Sequence, residues 1–325
     1  MKVTYFFRKS SPHFHSIEEL FANIINNLPK EIDAKKIHSK YHTGLVGRIK
    51  NIFEAKKYQA EINHITGDIN YISLLMSKQK TILTIHDIAP AISGGFVKRN
   101  IIKYFWFKIP VKKVKYVTVI SEFTKRQVIK YLKIPENKIH IIPNCISPEL
   151  KYLPKIEMSQ KPVLLQIGTK TNKNIPNLIK AIKNIDCKLI IIGKLQSEQS
   201  ALLEEYKIDF ENYSNLSYAE IIEHYKNCDI VTFVSTYEGF GVPILEANAI
   251  GRPIITSNIS PMSEVANGSA FLVNPYKINE IKNAIIKLID SEIDRKKLVE
   301  KGLENAKKYS AQNIAKQYAE LYKKM

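Results

Sequence analysis

The chain has 325 residues and few of the features that announce a metal site, an export signal or a membrane span. Its three cysteines, Cys145, Cys187 and Cys228, lack metal-ligand spacing and leave one unpaired, which fits a reducing cytosol. No Asp-x-Asp pair is present to carry a divalent cation. His13 and His15 alternate around Phe14 without further ligand-spaced neighbours, so no metal is expected. The opening MKVTYFFRKS has too short an apolar run for a signal peptide, and no segment reaches the length that spans a bilayer. A cytoplasmic protein, soluble or peripheral on the inner face of the cell membrane, is therefore expected. Internal repeats and low-complexity tracts are also missing.

What is present is enough apolar content for two cores. At 45% apolar residues, with strand and helix patterns alternating throughout, the chain reads as two α/β domains. Charge is unevenly spread. Residues 1–155 hold 27 Lys and Arg against 11 Asp and Glu, a net +16, whereas residues 156–325 hold 22 against 20, a net +2. Within the basic half, Phe96 to Lys115, FVKRNIIKYFWFKIPVKKVK, interleaves seven Lys and Arg with five aromatics. That mixture suits an anionic membrane surface. The alternative is a core-facing apolar stripe on an ordinarily solvated basic helix. No nucleic-acid motif accompanies the charge, so nucleic acid is not an expected partner.

In the first half, Lys2–Phe7 reads as a strand, and Ser16 with Glu19 forms a capping box opening a helix to about Leu28. Thr81–Ile85 and Tyr116–Ile120 are β-branched apolar runs typical of buried parallel strands, and Lys138–Ile142 is a further short strand. Three prolines in SPELKYLPKIEMSQKP, Ser147 to Pro162, mark a linker. In the second half strands are expected at Val163–Ile167, Lys188–Ile192, Asp229–Val234 and Pro253–Thr256. They alternate with helices at Ile175–Asn184, Ser217–Lys226 and Tyr276–Ile289. The division is residues 1–150 and 160–309, with a closing helix over 310–325.

Ser235 to Ala266, STYEGFGVPILEANAIGRPIITSNISPMSEVA, is the most informative stretch. A buried strand leads into a turn where Gly239 and Gly241 supply backbone freedom, and Pro243 fits the first helical position, where its missing N–H is no loss. The helix from about Pro243 to Ile250 would aim its positive end at whatever lies above Gly239 to Gly241, and phosphate is the natural guest. Glu238 lies before this helix and Glu246 about one turn inside it. Neither carboxylate binds phosphate, so both are assigned to hydroxyl groups.

This pattern resembles the Glu-x7-Glu signature of retaining GT-B glycosyltransferases, specifically glycosyltransferase family 4. The resemblance implies two Rossmann-like doubly wound domains facing a cleft, the first on the acceptor side and joined by the closing helix, the second binding a nucleotide sugar. It assigns Glu246 to the ribose, and Glu238 with the Gly239, Phe240, Gly241 and Val242 backbone to the transferred sugar. Lys161 to Lys183, KPVLLQIGTKTNKNIPNLIKAIK, is similar to the family's first strand-loop-helix in the nucleotide domain, with Gly168 leading in and Lys173 matching the lysine that neutralises the donor diphosphate. The family's earlier arginine is missing, and Lys170 is the candidate substitute, a point charge where arginine offers a bidentate fork. TIHDIAP, Thr84 to Pro90, is similar to the family's His-Asp loop. His86 is thereby a candidate catalytic residue contacting donor sugar or acceptor, and Asp87 a loop-ordering cap. VISEFTKR resembles the family's serine loop, and IPNCISP its Pro-Asn-Gly-Val-Asp stretch, with Cys145 and Ser147 replacing glycine and aspartate. The glycine-rich loop that many members carry after the first strand is absent. Arg8, Lys9, His13 and His15 stand in its place.

The implied activity is transfer, with retained anomeric configuration and without a metal or other cofactor, from a GDP-mannose-type or UDP-sugar donor. The expected acceptor is a growing, lipid-linked glycan of the cell envelope. His86, Lys173 and Glu238 form the expected catalytic set. Two other readings stay open: a glycoside hydrolase using the Glu238/Glu246 pair, and a non-catalytic nucleotide-sugar-binding or membrane-scaffolding module.

Overall fold

The computed structural model describes residues 1–9, 16–41, 44–92, 95–155 and 157–325. His13 and His15 lie outside them, as does the side chain of Ser16, so the capping box does as well. The chain divides into unit 1, Met1–Cys145 with Ala311–Met325, and unit 2, Ile146–Ser310.

Unit 1 is a six-stranded parallel sheet in the order β2-β1-β3-β4-β5-β6. The strands are Lys2–Phe7 (β1), Asp33–His38 (β2), Ile62–Ile65 (β3), Thr81–Ile85 (β4), Tyr116–Val119 (β5) and Ile139–Ile141 (β6). Period-two alternation sorts β1 between two cores: Val3, Tyr5 and Phe7 pack on one side, Phe6 on the other. The closing helix, Ala311–Lys323, covers the first of these sides with Ile314, Ala315, Tyr318, Leu321 and Tyr322. Its Tyr322 joins a buried polar chain. Tyr5 and Tyr322 hydroxyls meet at 2.7 Å, Tyr322 meets His64 Nδ1 at 2.6 Å, and His64 Nε2 meets Thr84 Oγ1 at 2.8 Å. Burial holds the His64 imidazole down at about 3.

Unit 2 is a second six-stranded parallel sheet, ordered β12-β11-β10-β7-β8-β9. Its strands are Val163–Ile167 (β7), Lys188–Ile192 (β8), Phe210–Tyr213 (β9), Ile230–Phe233 (β10), Ile254–Ser257 (β11) and Phe271–Val273 (β12). The first and fourth strands of the unit are neighbours, with Leu165 opposite Val231 and Gln166 opposite Thr232. Strand order therefore reverses between β7 and β10, and a crevice for ligands forms outside the carboxyl ends of strands at such a switch point. The linker is fixed by buried Asp229, which binds Lys155 Nζ at 2.8 Å and accepts from the amides of Ser159 and Val163 at 3.1 and 2.7 Å. Arg252, also buried, donates to the carbonyls of Leu153 and Lys226 at 2.8 and 2.6 Å.

Candidate functional site

The β7 and β10 loops leave the sheet side by side and are laced together. The Thr236 amide donates to the Asn172 carbonyl at 2.8 Å, Asn172 Nδ2 to the Tyr237 carbonyl at 2.8 Å, and Asn174 Nδ2 to the Val234 carbonyl at 3.1 Å. Asn174 takes a left-handed backbone (φ 60°), which a residue that hydrogen-bonds locally tolerates, and ends the turn Thr171–Lys173 where the helix Ile175–Ile182 begins.

This lacing sets two expected site residues against each other. Lys173 Nζ lies 2.6 Å from Glu238 Oε1 and 4.6 Å from the centre of the Phe233 ring, and the lysine and glutamate side chains are only 17% and 15% exposed. Asn172 Nδ2 also donates to Glu238 Oε1, at 3.1 Å. Gly168 makes the arrangement possible. Its φ is +86°, and a Cβ there would sit 2.9 Å from Lys173 Cε and 3.3 Å from its Cγ, so the lysine stem runs across a bare backbone. Lys170 is exposed and makes no ion pair among the described residues, so the structure does not bring it to Glu238 as it brings Lys173.

The helix following the β10 loop runs Val242–Ile250, one residue longer than expected, with Pro243 in its first turn. Gly241 caps it with φ +110°, and the positive end of the helix lies in the same loop as Glu238. Phe240 is buried edge-on against Tyr309 at 5.9 Å, fixing the loop; Gly239 and Val242 are half-buried.

Glu246 lies about one turn inside this helix. Its carboxylate is buried, with Oε1 accepting from the Tyr218 hydroxyl at 3.0 Å and Oε2 from the Tyr225 hydroxyl at 2.7 Å. Burial, then the charge of Glu246, holds the Tyr225 phenol well above its ordinary value. These tyrosines were missed from the sequence. They stand seven apart on the helix Tyr218–Asn227, hence on one face, a spacing that could have revealed them.

In unit 1 the switch point lies between β1 and β3. Arg8, just past β1, forms a fork to Glu18 at 2.8 and 3.1 Å and reaches Asp68, just past β3, at 2.5 Å. His86 sits at the carboxyl end of β4, where Nε2 donates to the Thr66 carbonyl at 2.8 Å. The ring is close enough to Gly67 that a Cβ there would lie 2.8 Å from it. Burial lowers the His86 pKa, against the opposing pull of the Thr66 carbonyl and of Asp68 and Asp87. Asp87 Oδ1 accepts from the Ala89 amide at 2.9 Å, and Ser121 Oγ caps the helix Glu122–Gln127 by accepting from the Thr124 amide. Asn144 is buried with no partner for its Oδ1 among the described residues. No group of three His, Cys, Asp or Glu side chains gathers to hold a metal among the described residues.

Known proteins resemble this chain in sequence and fold. The model described as glycosyl transferases group 1 matches residues 153–305, and that described as glycosyltransferase family 4 matches residues 13–150. An uncharacterized glycosyltransferase of Methanocaldococcus jannaschii is 26% identical over 311 residues, 92% of this chain and 85% of its own. The O-antigen chain mannosyltransferase B of Escherichia coli is 24% identical over 273 residues, 75% of this chain and 70% of its own. Among solved structures, HepE of Anabaena in complex with UDP-glucose superposes with a TM-score of 0.79 at 15% identity, covering 99% of this chain and all of its own.

Proposed function

The chain belongs to glycosyltransferase family 4, with the GT-B fold of two Rossmann-like domains, and from that premise we propose that it transfers a hexose from a nucleotide sugar to a growing cell-envelope polysaccharide with retained configuration. The observation that carries this reading is the Lys173–Glu238 pair at the unit 2 switch point, beside the Gly241 helix start. Lys173 and the helix dipole are suited to a diphosphate, Glu238 to sugar hydroxyls, and Glu246 to the ribose. A carboxylate offers about four acceptor positions, more than the two tyrosines use.

In the proposed step the bond from the anomeric carbon to the diphosphate oxygen breaks, and its electron pair leaves with the nucleoside diphosphate. The acceptor hydroxyl bonds to the same face of the sugar, and its proton passes to a donor phosphate oxygen. Lys173 opposes the growing charge on the leaving group without a metal. The E. coli relative is an O-antigen chain mannosyltransferase and the Anabaena structure holds UDP-glucose, which support a GDP-mannose-type or UDP-sugar donor and a glycan acceptor; a lipid-linked acceptor at the cytoplasmic face of the membrane is part of the same proposal. Family membership sets the hydrolase alternative aside.

A thermal-shift screen of UDP-, GDP-, ADP-, CMP- and dTDP-sugars tests the reading. A ligand at about 100 times its Kd should stabilise the folded state by about 2.7 kcal/mol, and turnover should persist in chelator. No response to any donor would overturn it, and binding without turnover would return the non-catalytic module.

A further inference from the structure

The helix Leu45–Lys57 of unit 1 is inside out. Its buried residues are Asn51 and Ala55, with Asn51 donating to the Tyr71 hydroxyl at 3.2 Å. Ile52 packs against the core, but the helix's four other large apolar residues face solvent: Leu45, Val46, Ile49 and Phe53 are 75, 65, 47 and 58% exposed. At about 100° per residue these four fall within one third of the helix circumference, with Lys50 and Lys57 beside them. A soluble helix turns such a stripe inward.

A second unpartnered face adjoins it. Phe96, Val97, Ile101, Tyr104 and Phe105 are exposed along Phe96–Ile101 and the π-helical stretch Ile102–Lys108. The two faces meet where the Arg48 guanidinium stacks 4.7 Å over the Trp106 ring, itself 5.2 Å from Tyr71. The aromatic-basic segment expected to form one docking stretch is thereby divided. Phe107 is in the core, Trp106 packs against it, and Lys115 is engaged by the carbonyls of Lys324 and Met325 at 3.0 and 2.8 Å.

We infer that these two faces together form a docking surface that inserts into an anionic lipid bilayer. Charge selects this occupant. Residues 96–115 contain seven Lys and Arg and no acidic residue, and the Leu45–Lys57 helix contains four against a single glutamate. A second copy of the chain would bring these cations face to face, whereas anionic headgroups neutralise them while the aliphatic and aromatic side chains enter the interface. No helix among the described residues is long and apolar enough to cross a membrane, so the contact is a surface one. The inference rests on the proposed transfer only for what the docked enzyme would meet there.

Co-sedimentation of the full chain with phosphatidylcholine vesicles, with and without phosphatidylglycerol, tests it. Binding should rise with the anionic lipid and fall with salt. The pair Ile49→Asp and Phe53→Asp, on an exposed face, should weaken partitioning at least about tenfold while leaving nucleotide binding by unit 2 unchanged. Trp106 is the only tryptophan, so brominated acyl chains should quench its fluorescence in the wild type and not in the variant. Equal partitioning onto neutral and anionic vesicles, wild-type partitioning by the variant, or a dimer in solution that the same substitutions dissolve would each overturn the inference. A failure of donor turnover alone would strike the proposed transfer and leave the docking surface standing.

Discussion

Tyr225 and Glu246 are joined by a single buried hydrogen bond of 2.7 Å, and breaking it from either side separates two roles for the glutamate. A hydrogen bond to a charged group contributes about 1.5–3 kcal/mol, and a buried polar group left without its partner costs about 1–3 kcal/mol. Tyr225→Phe removes one donor from a carboxylate that retains Tyr218, so a loss of about 1.5–3 kcal/mol is expected. Glu246→Ala strands the fully buried Tyr225 hydroxyl and removes the bond from the half-buried Tyr218, for a loss of about 2–4 kcal/mol. Both changes destroy the same bond, so the double variant should lose less than the sum of the two by about 1–2 kcal/mol. In a unit the size of residues 146–310 each kcal/mol moves Tm by about 2–4 °C, so calorimetry of the four proteins resolves the difference. Titration with nucleoside diphosphate then reads the ribose contact. Glu246→Ala should weaken nucleotide and nucleotide sugar alike, because the contact is to their shared part, and Tyr225→Phe should weaken both less. Additive stability losses would refute the clamp. Wild-type affinity of Glu246→Ala for free nucleotide would refute the ribose assignment.

Lys173→Ala should lower kcat by about 10²–10³ with a smaller effect on donor Kd, because leaving-group charge grows only toward the transition state. Gly168→Ala should share that loss through the displaced lysine, whereas Gly268→Ala, equally left-handed at φ +80° but facing open space, should lose only stability. Equal kcat for both glycine variants in steady-state assays would separate Lys173 from the chemistry. The third prediction concerns pH and unit 1. His64 is held at about 3 when folded and returns toward about 6.5 when unfolded. Its folded pKa is depressed, so its contribution is complete above the unfolded value and is lost as pH falls from there toward the folded one, at up to about 1.4 kcal/mol per pH unit. Urea melts at about pH 7, 6 and 5 should show a steeper decline for the wild type than for His64→Gln. Parallel declines would refute it.

The strands that sequence alone located are those whose chemistry is one-sided. Thr81–Ile85, Val163–Ile167 and Lys188–Ile192 are β-branched and aliphatic runs buried in parallel sheets, so their boundaries followed from composition. Asp33–His38, DAKKIH, was missed because it is an edge strand, polar along most of its length and joined to β1 through backbone bonds that leave no apolar period to read. The Leu45–Lys57 helix was missed as well, although Leu45, Val46, Ile49 and Phe53 carry a helical period; nothing in that period says which way the stripe faces. The candidate site divides in the same way. Gly168, Lys173 and Glu238 were each legible from local context, as a glycine lead-in, a loop lysine and a glutamate before a helix. That Lys173 and Glu238 touch, 65 residues apart, depends on β7 and β10 being neighbours, and no local window contains that adjacency.

Their contact bears on how the proposed donor would enter. A lysine this enclosed, left alone, would pay a desolvation penalty for its charge, and Glu238 offsets it in the free protein. A nucleotide sugar brings both replacements at once: an anionic diphosphate for Lys173 and hydroxyl donors for Glu238. Each group then exchanges one charged or polar partner for another in the same place, so neither is stranded during binding. The loops need little rearrangement, since the bonds between Thr236 and Asn172, Asn172 and Tyr237, and Asn174 and Val234 do not involve the exchanging atoms. A ligand carrying only the diphosphate would take Lys173 and leave Glu238 facing its negative charge, which like-charge repulsion disfavours. On the proposed function, the pair therefore discriminates an intact donor from a spent nucleotide, and loss of the sugar to the acceptor weakens the site's hold on what remains.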